Sequence, residues 1–197
     1  MFNRITPEGY FSGTDGNLNW VVPEEELDRA ATQAMSGTGA ILFGRRTYEM
    51  FESFWPTVLD DAPDAPDAPD PHTPQRRSPE IRAMATWIND AEKLVFSRSR
   101  KQASWRNSRL LGEFDPRTVK ELKAERGSDI MIFGSGSIVS LLTQYALIDE
   151  YQFVVGPLLL GSGNALFKQG PHQLRLALRE ARAFPSGNVR LTYAAAG

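Results

Sequence analysis

Two short apolar runs, each ending on glycine and passing at once into helix-forming residues, restrict this chain more than any other feature. Ala40-Ile41-Leu42-Phe43 runs into Gly44-Arg45-Arg46-Thr47, and Ile130-Met131-Ile132-Phe133 into Gly134-Ser135-Gly136-Ser137. Four consecutive apolar residues, without alternation, suit a strand buried on both faces, as in a parallel sheet covered by helices. Lys93 to Phe96 is a third such strand, ending on Ser97-Arg98-Ser99. Strand then helix, repeated, implies an α/β protein.

The intervening stretches carry helical signals. Val21-Val22-Pro23 opens a helix, with Glu24, Glu25 and Glu26 at the positive end of its dipole and Leu27, Ala30, Ala31 and Ala34 on one face. Gly44 to Thr47 opens a second, which carries Tyr48, Phe51, Phe54 and Trp55 up to Pro56. Ser78-Pro79 and Asp115-Pro116 each combine a capping residue with proline at the first helical position. Ile81, Met84, Ala85 and Ile88 form the inward stripe of the first of these, Val119 and Leu122 that of the second. Ile138, Leu141, Leu142 and Tyr145 mark a last helix.

After Ile148 the pattern turns to strands: Tyr151 to Val155, Leu158 to Leu160, and an alternation at Leu174, Leu176 and Leu178. Pro185-Ser186-Gly187-Asn188 then forms a hairpin turn before Val189 to Tyr193. The expected fold is a single domain over residues 1–197, with a mixed, mostly parallel central sheet, flanking helices and a C-terminal antiparallel hairpin. Asp61-Ala62-Pro63 repeats twice more, and proline at every third residue favours extended chain. Residues 58–77 therefore read as a loop insertion rich in Pro, Asp and Ala.

Composition removes several functions. Lys and Arg number 22 against 24 Asp and Glu, a net charge of −2, which argues against a nucleic-acid binder. No cysteine is present, so thiolate metal sites and cysteine nucleophiles are excluded. His72 and His172 stand alone without ligand spacing, so no metal site is expected. No apolar run approaches the ~20 residues of a membrane span and no apolar leader follows Met1; the expected location is the cytoplasm.

The chemistry should lie at the strand-to-helix junctions. Helix N-termini present unpaired N–H groups and a positive dipole end, and so attract phosphate. Arg45, Arg46 and Thr47 add charge and a hydroxyl at the first junction, Ser97 and Arg98 at another. Three such places on one sheet edge suit a dinucleotide carrying a 2′-phosphate. Taken singly, each junction is also what tight packing would require.

GRRTYE at 44–49, VFSRS at 95–99, IFGSGSIV at 132–139 and GPLLLGSGNALF at 156–167 resemble the dihydrofolate-reductase-like superfamily. The branch they are most similar to is the reductase domain of bacterial riboflavin biosynthesis. GTDG at 13–16 resembles that family's Ser-x-Asp-Gly loop, with Thr14 where Leu is commoner. The resemblance implies an NADPH-dependent reductase of a pterin-like, pyrimidine or related heterocyclic small molecule. It implies that Gly44, Arg45, Arg46 and Thr47 hold cofactor phosphate, that Ser97 and Arg98 take the 2′-phosphate, and that Gly134, Ser135, Gly136, Ser137 and Ile138 wrap the pyrophosphate and nicotinamide side. Asp15, Pro157, Leu160 and Gly161 would border the substrate. Trp20 and Trp55 are the aromatics suspected on that side, since both flank loops. A homodimer formed through the C-terminal strands is also implied.

The proton donor is open between Asp15, which is equally a plain turn residue, and Asp28, which equally suits a solvated helix face. The alternative function is a non-catalytic binding module that retains the nucleotide cleft.

Overall fold

The computed structural model describes residues 1–35, 37–60, 79–125, 127–134, 136–167 and 173–196. The Asp-Ala-Pro repeats, His72, Ser78, Ser135, His172 and the side chain of Ala34 lie outside the described residues. In chain order the elements are β1 (Phe2–Ile5), β2 (Tyr10–Ser12), α1 (Glu25–Met35), β3 (Thr38–Gly44), α2 (Arg45–Asp60), α3 (Pro79–Asp90), β4 (Glu92–Phe96), β5 (Ser108–Gly112), α4 (Pro116–Glu125), β6 (Asp129–Ile132), α5 (Gly136–Gln144), β7 (Glu150–Val155), β8 (Asn164–Ala165), β9 (Leu176–Ala183) and β10 (Val189–Ala195). They form two compact units: Glu25–Met131, and Met1–Glu24 with Ile132–Gly197.

The continuous unit holds a sheet in the order β5-β4-β3-β6. β3 and β4 run parallel, Ala40 opposite Glu92 through Gly44 opposite Phe96, and β4 runs parallel to β5. Ala40 to Phe43 are fully buried, as expected of strands covered on both faces. α2 and α3 pack together, and α1 packs on α3. Ile81, Met84, Ala85 and Ile88 of α3 and Val119 and Leu122 of α4 are buried, so both proline-capped helices present the stripes their spacing predicts. α1 starts at Glu25, later than Val21; Val21 is itself buried in the preceding loop.

α2 does not stop before Pro56. It continues to Asp60, because its buried stripe of Tyr48, Phe51 and Trp55 is extended one turn by Val58, which is fully buried. Residues 58–60 are thus helix, not part of the insertion. Packing on that stripe outweighs the backbone hydrogen bond that proline removes, each large side chain contributing about 2–3 kcal/mol of burial.

The discontinuous unit holds the sheet β1-β7-β10-β9 and the two-stranded pair β2-β8. β1 is parallel to β7, and β10 is antiparallel to both β7 and β9. The β9–β10 hairpin turns at Gly187, whose φ of 87° is the left-handed conformation that glycine tolerates. Three expectations change here. Leu158 to Leu160 is not a strand; its backbone is held by a side chain described below. Tyr145 lies past the end of α5, where Ala146 takes a φ of 51°, and is 48% exposed. β9 is exposed at every residue from Ala177 onward, so its leucine alternation does not mark a half-buried strand.

Candidate functional site

In the continuous unit, Gly44 and Phe96 are register partners, so β3 and β4 end side by side. α2 begins directly at Arg45, and its first turn contains no acidic residue. The positive end of its dipole is therefore not internally neutralised. Gly44 and Thr47 are buried, whereas Arg45 and Arg46 are exposed. Arg45 pairs with Glu49 at 2.9 Å; Arg46 makes no ion pair among the described residues.

Ser97 leaves β4 buried, with its N–H on the Gly112 carbonyl at 2.7 Å and its hydroxyl accepting the Arg100 N–H at 3.0 Å. Arg98 points outward, 81% exposed, 3.8 Å from Glu113. Arg100, which the spacing did not single out, is the better anchored cation. It donates to both carboxylate oxygens of Glu52 at 2.9 and 2.7 Å, and its guanidinium lies 4.9 Å from the Tyr48 ring centre. Glu52 also accepts from the Ser104 hydroxyl at 2.7 Å and the Trp105 N–H at 3.2 Å. Burial pushes the Glu52 carboxyl up, but Ser104, Arg100 and the Tyr48 hydroxyl outweigh it and hold it below the usual glutamate range.

Trp55 is not loop-flanking. It is fully buried against Phe51 and Phe54, and Asn89 donates to its carbonyl at 3.0 Å. Its place in the α2 stripe makes it a core side chain. Asp28 is half-buried in the first turn of α1, its carbonyl accepting the Thr32 hydroxyl at 2.9 Å.

In the discontinuous unit, Gly134 has a φ of 54° and Gly136 opens α5. A Cβ on Gly136 would stand 2.8 Å from Cε1 of Phe11 and 3.4 Å from the carbonyl oxygens of Ala165 and Leu166. Gly136 is thus buried in close packing with protein. Ile138 is buried as well, while Ser137 is exposed.

Asp15 closes an Asx turn. Its Oδ1 accepts the Asn17 N–H at 3.0 Å and the Asn17 side-chain amide at 2.5 Å, and these bonds hold its carboxyl below the ordinary aspartate value. It is therefore ionised at neutral pH and bears no proton to donate. Trp20 is 6% exposed, lying over Gly156.

Pro157 and Gly161 are exposed and Leu160 half-buried. This loop is fastened by Glu8, whose carboxylate accepts the N–H groups of Leu160 at 2.7 Å and Gly161 at 3.0 Å. Glu8 escaped the sequence reading because 152 residues separate the partners. Its only signal was a tight Pro7-Glu8-Gly9 turn, which carries no hint of a distant acceptor. Replacing Glu8 with alanine should free the loop while leaving the β1–β7 pairing intact. Hydrogen exchange should show protection at Leu160 and Gly161 falling about tenfold or more, the scale of one charge-assisted bond, with Phe153 unchanged. Unchanged exchange at both loop amides would show that Glu8 does not hold them.

Among the described residues no helix is long and apolar enough to cross a membrane, and no three His, Asp or Glu side chains could hold a metal ion. The strand order, the helices beginning at strand ends and the C-terminal antiparallel group define an α/β protein of dihydrofolate-reductase-like fold. The family model described as the RibD C-terminal domain matches residues 2–190, and the chain belongs to that family of reductase-like domains.

Two similar sequences are the uncharacterised Bacillus subtilis (strain 168) proteins YyaP and YwjB. YyaP is 25% identical over 96% of this chain and 90% of its own length, YwjB 24% over 98% and 95%. Among solved structures, a protein from Shewanella sp. PV-4 named for riboflavin biosynthesis aligns with a TM-score of 0.72 at 19% identity, covering 100% of this chain and 97% of its own. Acinetobacter baumannii RibD aligns at 0.65 with 16% identity, covering 100% of this chain and 57% of its own. A pyrimidine reductase-like protein from Corynebacterium diphtheriae aligns at 0.62 with 14% identity, covering 100% and 90%. At these identities the structural likeness establishes the fold.

Proposed function

We propose that this protein is an NADPH-dependent reductase of a pterin-like, pyrimidine or related heterocyclic small molecule. Membership of the reductase-like family over residues 2–190 carries the reading. The continuous unit fits a phosphate-bearing cofactor. The first turn of α2 lacks acidic residues, Arg46 is exposed with no ion pair among the described residues, and Ser97 and Arg98 leave the neighbouring strand end. In this reading Gly44 to Thr47 hold phosphate, Ser97 and Arg98 take the 2′-phosphate, and Gly134 to Ile138 meet the pyrophosphate and nicotinamide side. When bound, the cofactor supplies the hydride; the chain's own residues bind and orient. The alternative, a binding module that does not turn over, draws support from Asp15, which is ionised and tied into a turn.

Thermal unfolding with NADPH, NADH or neither tests the reading. A ligand bound by the folded state alone adds about 2.7 kcal/mol at a hundredfold excess over Kd. NADPH should stabilise clearly and NADH little, and Arg98→Ala should weaken NADPH more than tenfold with little effect on NADH. Equal losses for both cofactors would remove the 2′-phosphate assignment, and no shift with either would favour the binding module.

We further propose a homodimer through the C-terminal strands. β9 is an exposed edge of eight residues with the adjacent charges Arg179 and Glu180, which become complementary when two copies pair antiparallel about that point. Light scattering should give twice the 21.9 kDa chain mass, and Arg179→Glu should shift it toward the monomer; a monomeric parent would exclude the dimer.

A further inference from the structure

One face of the β1-β7-β10-β9 sheet carries a row of arginines. Arg4 stands opposite Val154, Val154 opposite Arg190, and Arg190 opposite Arg182. Side chains directly opposite across paired strands share a face, so three guanidinium-bearing residues occupy one row. Gly156, two residues beyond Val154, lies on the same face under the Trp20 indole; a Cβ there would stand 3.2 Å from Cζ3 of Trp20.

Buried polar groups are almost always hydrogen-bonded, but one donor each on Trp20 and Arg190 is not. Trp20 is 6% exposed and its Nε1–H meets no acceptor. Arg190 is 18% exposed and its buried Nε–H also meets none, although its Nη2 lies 2.9 Å from both oxygens of Glu180. An indole N–H and a guanidinium N–H can only donate, so whatever completes this face must accept. Glu180 already offsets much of the Arg190 charge, which favours a ligand group with a single negative charge and two acceptor oxygens over a dianionic phosphate. The row reaches solvent at β9, where Glu180 and Arg182 are exposed.

We propose that this face binds the carboxylate of a small organic acid, with Trp20 Nε1 and Arg190 Nε donating to it. The inference rests on the proposed reductase reading, with Trp20, Pro157, Leu160 and Gly161 bordering the substrate as the family resemblance implies, and names the charge of that substrate. An acidic substituent would be anchored on the sheet face, leaving the remainder of the molecule free to be oriented for reduction.

Thermal unfolding of the full chain at constant ionic strength, with no nicotinamide cofactor present, tests it using three probes: benzoate, its neutral isostere benzamide, and inorganic phosphate. Benzoate should raise Tm in a concentration-dependent way and benzamide should not. Trp20→Phe keeps an aromatic ring and deletes the orphan donor. Without ligand it should therefore unfold at or above the parent's Tm, yet bind benzoate at least tenfold more weakly. Arg190→Gln should weaken benzoate similarly; if it does not fold, Trp20→Phe carries the test alone. Equal shifts with benzoate and benzamide, or an unaltered benzoate response in Trp20→Phe, would overturn the site. A shift with phosphate alone would overturn the carboxylate assignment, and no shift with any probe would overturn the proposal. Because NADPH is absent throughout, failure here is distinct from failure of the cofactor reading.

Discussion

Between pH 8 and 10.5 the protein should gain about 3 kcal/mol of stability relative to its Lys93→Met variant. Lys93 is fully buried in β4 and donates from Nζ to the carbonyls of Asn89 at 2.5 Å and Arg106 at 3.1 Å, with Nζ 4.4 Å from the Trp105 ring centre. Burial strips water from the ammonium and Arg106 repels it, against a smaller pull from Asp90, so its pKa falls from 10.5 to about 8. The folded value lies below the unfolded one. Below pH 8 the lysine is charged in both states and the burial penalty is fully expressed. As pH rises toward 10.5 the folded chain gives up its proton first, and stability climbs by about 1.4 kcal/mol per pH unit between the two values. Lys93→Met keeps the apolar stem and has no proton to lose, so subtracting its pH profile cancels the tyrosines that titrate higher. Denaturant unfolding at a series of pH values reads the difference, and parallel profiles would show that Lys93 is not strained in the fold.

Glu52→Gln should cost about 2 kcal/mol at neutral pH. The substitution keeps an acceptor oxygen for the Ser104 hydroxyl and the Trp105 N–H but removes the charge opposing Arg100, whose side chain is 19% exposed. Leaving one ion of a buried pair uncompensated costs about 3–5 kcal/mol; partial exposure of both partners and the nearby Glu49, 3.6 Å from Arg100, reduce that. Because the folded carboxyl titrates below its ordinary value of 4.5, the advantage is present above that value. It is lost as the pH falls through the lower folded one. A double-mutant cycle with Arg100→Met should show clear coupling, whereas additive losses would mean the two act separately.

The readable parts of the fold were those in which one local segment carries its own reason. Ala40 to Phe43 is buried on both faces and shows it by having no polar residue; Pro79 and Pro116 start α3 and α4 where a missing N–H costs nothing. β5 was missed because Ser108 to Gly112 is only half-buried and its apolar content is two leucines. β2 and β8 were missed because each exists through the other, across some 150 residues. The family motifs marked the strand ends, but not the environments of the residues there. Arg98 and Arg100 look alike in sequence, yet one is in solvent and the other is bound to Glu52, 48 residues earlier. Trp55 shows the reverse error: Pro56 suggested a helix end and therefore a loop, when the stripe continued into Val58.

The discontinuous unit has a consequence for how the chain is made. Among the described residues β1 forms its ladder with β7, Phe2 opposite Gln152, and otherwise makes a single bridge from Phe2 to Phe133, so its pairing must wait for some 150 residues of synthesis. Glu25–Met131, by contrast, is continuous in sequence and emerges in full before Ile132–Gly197. During translation the inserted unit can therefore fold early, while the leading strand stays unpaired and exposed until the trailing segment arrives. At ~5–20 residues per second that interval lasts roughly eight to thirty seconds, long enough for a chaperone to find the first strand before its own partner does.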